Sequence, residues 1–118
     1  FVNRTGIIHC HDLDDGKNIF VERLPAGQIW CTPLAANNAV YFFGKDGSTS
    51  IIEPSNKLKV LAENELWSEV DKPIDPGTEQ DPQNRLGGAV LYAAVVYDSK
   101  LLLRRGDILY CLNRLNDK

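Results

Sequence analysis

A recurring block constrains the fold of this chain more than any other feature of its sequence. Thr32-Pro33-Leu34-Ala35-Ala36-Asn37-Asn38-Ala39-Val40-Tyr41-Phe42-Phe43 can be laid over Ala93-Ala94-Val95-Val96-Tyr97-Asp98-Ser99-Lys100-Leu101-Leu102-Leu103-Arg104 without a gap. Small residues, an apolar run, a two-residue polar turn and a second apolar run coincide. A further run follows in both copies, as Ser48–Glu53 and as Ile108–Asn113. An earlier, partial copy aligns Thr5-Gly6 with Asp46-Gly47 and Asp12 with Glu53, an offset of 41 residues from 5 to 46. Between the second and third copies the offset is 61, from 32 to 93, and the excess falls in Glu65–Gly88.

The runs inside each copy read as strands. Gly16, Gly27, Gly44, Gly47, Pro25 and Pro54 interrupt the first half too often for a long helix. Between them lie segments rich in β-branched and aromatic residues, which favour a pleated surface. The pattern predicts strands at Ile7–His11, Ile19–Leu24, Gln28–Ala36, Val40–Gly44, Thr49–Glu53, Leu58–Glu63, Leu91–Tyr97, Leu101–Arg105 and Ile108–Leu112, with a further one at Phe1–Arg4. Asp14-Asp15-Gly16-Lys17, Asn37-Asn38, Asp46-Gly47 and Asp98-Ser99 supply the reversals, since Asn, Asp and Gly accept the positive φ of tight hairpins. Strands joined in this way form an antiparallel meander. A period of ~40–45 residues with four strands per unit is the signature of propeller blades. The expected fold is all-β: a partial β-propeller of two to three four-stranded antiparallel blades.

The divisions that follow are a partial blade over 1–26, a full blade over 27–64, an insertion over 65–88 and a partial closing blade over 89–118. The insertion carries Pro73, Pro76 and Pro82 among acidic and amide residues and has little to bury, so a surface loop anchored by Trp67 is expected. The first blade lacks its innermost strand and the third ends after its third strand. A start at Phe1, within a strand pattern and without methionine, is what a piece of a longer protein would present.

Composition narrows the function classes. At 118 residues, 43% hydrophobic and 25% charged, the chain has an ordinary globular balance. A domain near this size buries roughly two-thirds of its extended surface, so no disulfide scaffold is needed. Thirteen basic against 16 acidic residues give a formal charge of −3, and no Arg/Lys stripe argues for nucleic acid as a partner. No apolar run approaches a membrane span. Cys10, Cys31 and Cys111 are too few for a cysteine framework and are expected to be small, buried and unbridged.

Cys10-His11-Asp12-Leu13-Asp14-Asp15-Gly16-Lys17-Asn18-Ile19-Phe20 resembles the tryptophan-docking repeat of quinoprotein alcohol dehydrogenases, A-x-D-x-x-T-G-K-x-x-W. Asp12, Gly16 and Lys17 match; Asp15 replaces the threonine and Phe20 the tryptophan. The run from Leu101 to Leu112 is similar to the closing blade of bacterial pyrroloquinoline-quinone-like repeat proteins, themselves WD40-like in architecture. The resemblance implies a disc of seven or eight blades of which these would be the carboxy-terminal ones, and a periplasmic or secreted location.

The residues that could carry chemistry each have a plainer reading. His9 and His11 share one face of a strand and could ligate a metal with Asp12 and Asp14, but zinc needs three or four ligands and no further histidine exists. Cys10 and Cys111 fall at equivalent repeat positions, which marks a slot for a small apolar side chain. Asp12-Leu13-Asp14-Asp15-Gly16 is one residue short of the calcium-loop order, and Arg23 stands where that loop needs a glutamate; a turn explains it better. Trp30 reads as core rather than cofactor platform, and Arg104-Arg105 as exposed charges at a turn. There is no G-x-S-x-G elbow and no phosphate-cradling glycine loop.

No catalytic, cofactor-binding or metal residue is therefore expected. The favoured reading is a non-catalytic module that presents loops or strand edges to a protein or small ligand, with self-association through unpaired edges. The alternatives are a fragment of a dehydrogenase that uses pyrroloquinoline quinone (PQQ) with calcium, and an accessory domain of a larger enzyme. The dehydrogenase chemistry implied by the resemblance needs an acidic base, calcium ligands and, in many members, adjacent cysteines, and no such set is present.

Overall fold

Two turns of the same kind, 61 residues apart, organise the chain. Asn37 and Asn38 (φ 50° and 60°) and Asp98 and Ser99 (φ 46° and 62°) all adopt left-handed backbone conformations. Two consecutive positive-φ residues make a type I′ turn, whose twist matches that of paired strands. The computed structural model describes residues 1–29, 31–66, 91–105 and 108–113, with the backbone alone at Leu91 and Tyr92. All regular structure among them is strand.

Among the described residues nine strands form three antiparallel sheets. The first pairs β1 (Ile7–His11) with β2 (Asn18–Arg23). The middle sheet is a four-stranded meander of β3 (Leu34–Ala36), β4 (Ala39–Phe43), β5 (Ser48–Ile52) and β6 (Val60–Glu65), each beside its sequence neighbour. The third contains β7 (Leu91–Tyr97), β8 (Lys100–Arg105) and β9 (Ile108–Asn113).

The repeat extends to individual hydrogen bonds. Asn3 N donates to Ile7 O and Gly44 N to Ser48 O; Gly6 N donates to Asn3 O and Gly47 N to Gly44 O. Leu24 N donates to Gly6 O at 2.8 Å, and Leu66 N to Gly47 O at 2.9 Å. A bulge falls between Cys10 and His11 in β1 and between Ile51 and Ile52 in β5, again 41 residues on.

Alternation along β4 places consecutive side chains on opposite faces, and both faces are covered. Phe42, with Val40 and Ile52, packs against Ile8, Leu24 and Ala26 on the side of the first sheet. Phe43, with Leu34 and Tyr41, packs against Leu103, Leu101 and Tyr110 of the third. The middle sheet is thus the centre of a three-sheet stack. One polar position in the first of these layers is accounted for: Ser50 Oγ, fully buried, accepts from Ala26 N at 2.9 Å.

Three expectations are revised. Of Gln28–Ala36 only Leu34–Ala36 is a strand. Pro33 has no N–H to give a ladder, and the preceding residues serve as ties between sheets: Ile29 N donates to Arg4 O and Lys45 N to Gln28 O. Of Phe1–Arg4 only Val2 bridges, to Ile8. The Asp14-Asp15-Gly16 reversal is wider than a two-residue hairpin, closed by Asp12 N to Lys17 O at 2.8 Å with positive φ at Gly16 alone. Glu65 ends β6 and Leu66 packs beside the Phe43 cluster; the rest of the expected insertion, with Trp67, lies outside the described residues, as do Trp30 and Gly106-Asp107.

Candidate functional site

His9 and His11 come together as the alternation of β1 requires. Phe1 joins them: its ring stacks on His9 at 4.6 Å, and the two imidazoles stack at 6.3 Å with planes 8° apart. Phe1 is held there by a reciprocal pair of backbone bonds with His9, each 2.8 Å. His11 Nδ1 lies 3.1 Å from Gly16 O. The Asp12 side chain closes the turn, its Oδ1 accepting from Asp14 N at 2.8 Å and Asp15 N at 3.3 Å. Among the described residues no three His, Cys, Asp or Glu side chains gather as a metal group. In the same loop Lys17 holds the Asp15 carboxyl below its ordinary range, first through its ammonium and second through its backbone N–H.

The cysteines are free thiols in three different settings: Cys10 half-buried, Cys31 buried and Cys111 exposed. Burial pushes the Cys31 thiol up, with a smaller opposing effect from its contact with Thr32 O. The expectation of three buried cysteines is met at Cys31, only partly at Cys10, and fails at Cys111. Cys10 and Cys111 both occupy the Ile51 slot of the repeat; Cys10 points toward the middle sheet, whereas Cys111 lies on the face of the third sheet turned away from it. Arg105 is a second correction. It is 1% exposed, while Arg104 is exposed. Alternation along β8 puts Arg105 on the Leu101 and Leu103 side, between sheets, and only Arg104 on the outside.

One concavity was not legible in the sequence. A cleft of about 1020 Å³ opens between the middle and third sheets, near the two type I′ turns. Leu34, Ile51 and Leu101 line it together with Tyr41, and Asn37, Asn64, Asn113, Ser99 and Lys100 contribute amides, a hydroxyl and an ammonium to its lining. Among the described residues that line it there is no carboxylate, though Asp98 Oδ2 lies 3.9 Å from Lys100 Nζ. The cleft exists only because two distant segments face each other; the sole sequence signal was the equivalence of Asn37-Asn38 with Asp98-Ser99.

No helix among the described residues is long and apolar enough to cross a membrane. A scan against models of known protein families matches none to this chain, and a search of curated proteins finds no match either.

Proposed function

We propose that the chain is a run of blades from a non-catalytic β-propeller of the PQQ-like repeat type, acting as a binding module for a protein or small ligand in a periplasmic or secreted setting. The observation that carries the reading is the middle sheet. It is a four-stranded meander whose β4 is covered on both faces while β6 is exposed along its length, and its turns, bulge and ties recur in its neighbours at the repeat offset. Radial packing of equivalent sheets is what a blade array needs.

The binding side of the reading rests on the cleft. Its lining mixes apolar side chains with the amides of Asn37, Asn64 and Asn113 and the Ser99 hydroxyl, a mixture that suits a polar small molecule. The test is a thermal melt of the chain with PQQ and calcium, beside a panel of small carboxylates and sugars. A binding module of this kind melts unchanged with the quinone, while a cleft ligand raises the transition and perturbs Tyr41 and Lys100 resonances. Specific stabilisation by quinone at tens of micromolar would revive the dehydrogenase alternative, since a ligand that binds only the folded state stabilises it by mass action.

A further inference from the structure

Two Asp-Gly steps occur in the chain, Asp15-Gly16 and Asp46-Gly47. An aspartyl carboxyl can be attacked by the backbone nitrogen of the next residue, and glycine, with no Cβ, shields that nitrogen least. Both steps lie in reversals with positive φ at the glycine (73° and 92°). Both aspartates also fold back over the glycine: Asp15 Oδ1 accepts from Lys17 N at 2.9 Å and Asp46 Oδ1 from Ser48 N at 3.0 Å. What surrounds them differs. Asp46 Oδ1 takes a second bond from the Ser48 hydroxyl at 2.5 Å, and Gly47 is buried, donating to Gly44 O and accepting from Leu66 N. The equivalent Gly6 is pinned likewise by Asn3 O and Leu24 N, so this reversal is a fixed part of the repeat.

Asp15-Gly16 stands clear of the sheets. Both residues are exposed, and a Cβ at Gly16 would meet nothing within 4 Å. Lys17 pairs with the Asp15 carboxylate, but its side chain is 82% exposed, and an ion pair in water restrains its partners little. The exposure does not come from a place near the end of the chain. The matching loop of the middle sheet, closed from Glu53 N to Lys59 O as this one is from Asp12 N to Lys17 O, is exposed over 54–57 although that sheet has a neighbour on each side. We propose that Asp15-Gly16 is a site of spontaneous isoaspartate formation in the folded protein, and that the fold protects Asp46-Gly47 from the same reaction. The carboxyl reacts as the neutral acid: Gly16 N attacks Asp15 Cγ, a C–N bond forms, and the amide proton and the carboxyl hydroxyl leave as water. A water molecule then adds to the Asp15 main-chain carbonyl carbon of the resulting five-membered imide and breaks its bond to Gly16 N. The backbone now runs through Cβ and Cγ, one carbon longer, and the former main-chain carbonyl is an exposed carboxylate. The longer loop strains the closure from Asp12 N to Lys17 O, at the His11–Asn18 end of the first sheet.

The test holds the 118-residue chain at neutral pH and body temperature, folded or unfolded in urea, and then digests it. Electron-transfer mass spectrometry locates the isomer, since only an isoaspartyl residue yields fragments cut between its Cα and Cβ. In urea the two sites convert at similar rates. In the folded chain Asp15 converts about tenfold faster than Asp46. Asp15→Glu removes the signal, because a glutamyl side chain would have to close a less favourable six-membered ring, and Gly16→Ala slows it by shielding the nitrogen. Lys17→Met speeds it, because a larger share of the Asp15 carboxyl is then neutral. Circular dichroism checks that the variants keep their strands. A folded chain in which Asp46 keeps pace with Asp15 overturns the proposal. So does one in which Asp15 stays intact while the unfolded chain converts, or a signal in this loop that survives Asp15→Glu.

Discussion

Phe42 and Phe43 are adjacent in sequence, almost equally buried at 4% and 0% exposure, and committed to different inter-sheet layers. Truncating either should therefore cost a similar amount but damage a different place. Replacing a buried phenylalanine with alanine costs roughly 3–5 kcal/mol, the lost transfer energy of the ring plus the cavity that remains. With a urea dependence of ~1–3 kcal/mol per molar for a chain of this size, the unfolding midpoint should fall by about 2 M in each variant. Location is the sharper readout. Phe43→Ala opens space against Leu103 and Cys31, so amide exchange in β7 and β8 should quicken while β1 and β2 keep their protection. Phe42→Ala opens space against Ile8 and Leu24, so the order should reverse. Amide exchange followed by nuclear magnetic resonance measures both. If the two variants loosen the same amides, β4 does not separate two layers and the three-sheet stack is wrong.

Other consequences can be checked separately. Gly6→Ala should destabilise far more than Gly16→Ala: both glycines have positive φ, but a Cβ at Gly6 would sit 1.9 Å from Gly27 O whereas at Gly16 it meets nothing within 4 Å. Chemical denaturation should show about 1 kcal/mol for Gly16→Ala, the cost of a left-handed alanine, and a larger loss for Gly6→Ala. Iodoacetamide should label Cys111 first and Cys31 last, read by mass spectrometry, because Cys31 is buried with a raised pKa. The same shift makes stability decline at alkaline pH: the unfolded chain loses its thiol proton first, so the benefit is complete below the unfolded pKa and disappears as pH rises through the folded one. Lys17→Met should raise the titration midpoint of Asp15, followed by carboxyl carbon resonances. The depressed Asp15 pKa favours the fold above the unfolded value and ceases to do so as pH falls through the folded value. Melting at neutral pH should barely change, since both side chains are in water.

What could be read from the sequence was local. Alternating apolar runs and Asn, Asp or Gly reversals have their physical cause within a few residues, in side-chain direction and in tolerance of positive φ. Most strands consequently lie within a residue or two of their expected limits, and Asn37-Asn38 and Asp98-Ser99 turn as their residue types require. The repeat was equally legible, because equivalent sheets need equivalent strands and turns. Which face of a strand is covered was not, since that depends on a neighbouring sheet far along the chain. Arg105 is buried and Arg104 exposed, and Cys10 is half-buried while Cys111 is open, though each pair looks interchangeable in the sequence. The segment before Leu34 was misread as strand for the same reason: its backbone groups tie the turns of two sheets, contacts that no local propensity encodes. The cleft, too, arises only when the middle and third sheets meet. Local chemistry decided where the chain extends and reverses, and packing between sheets decided what each residue faces.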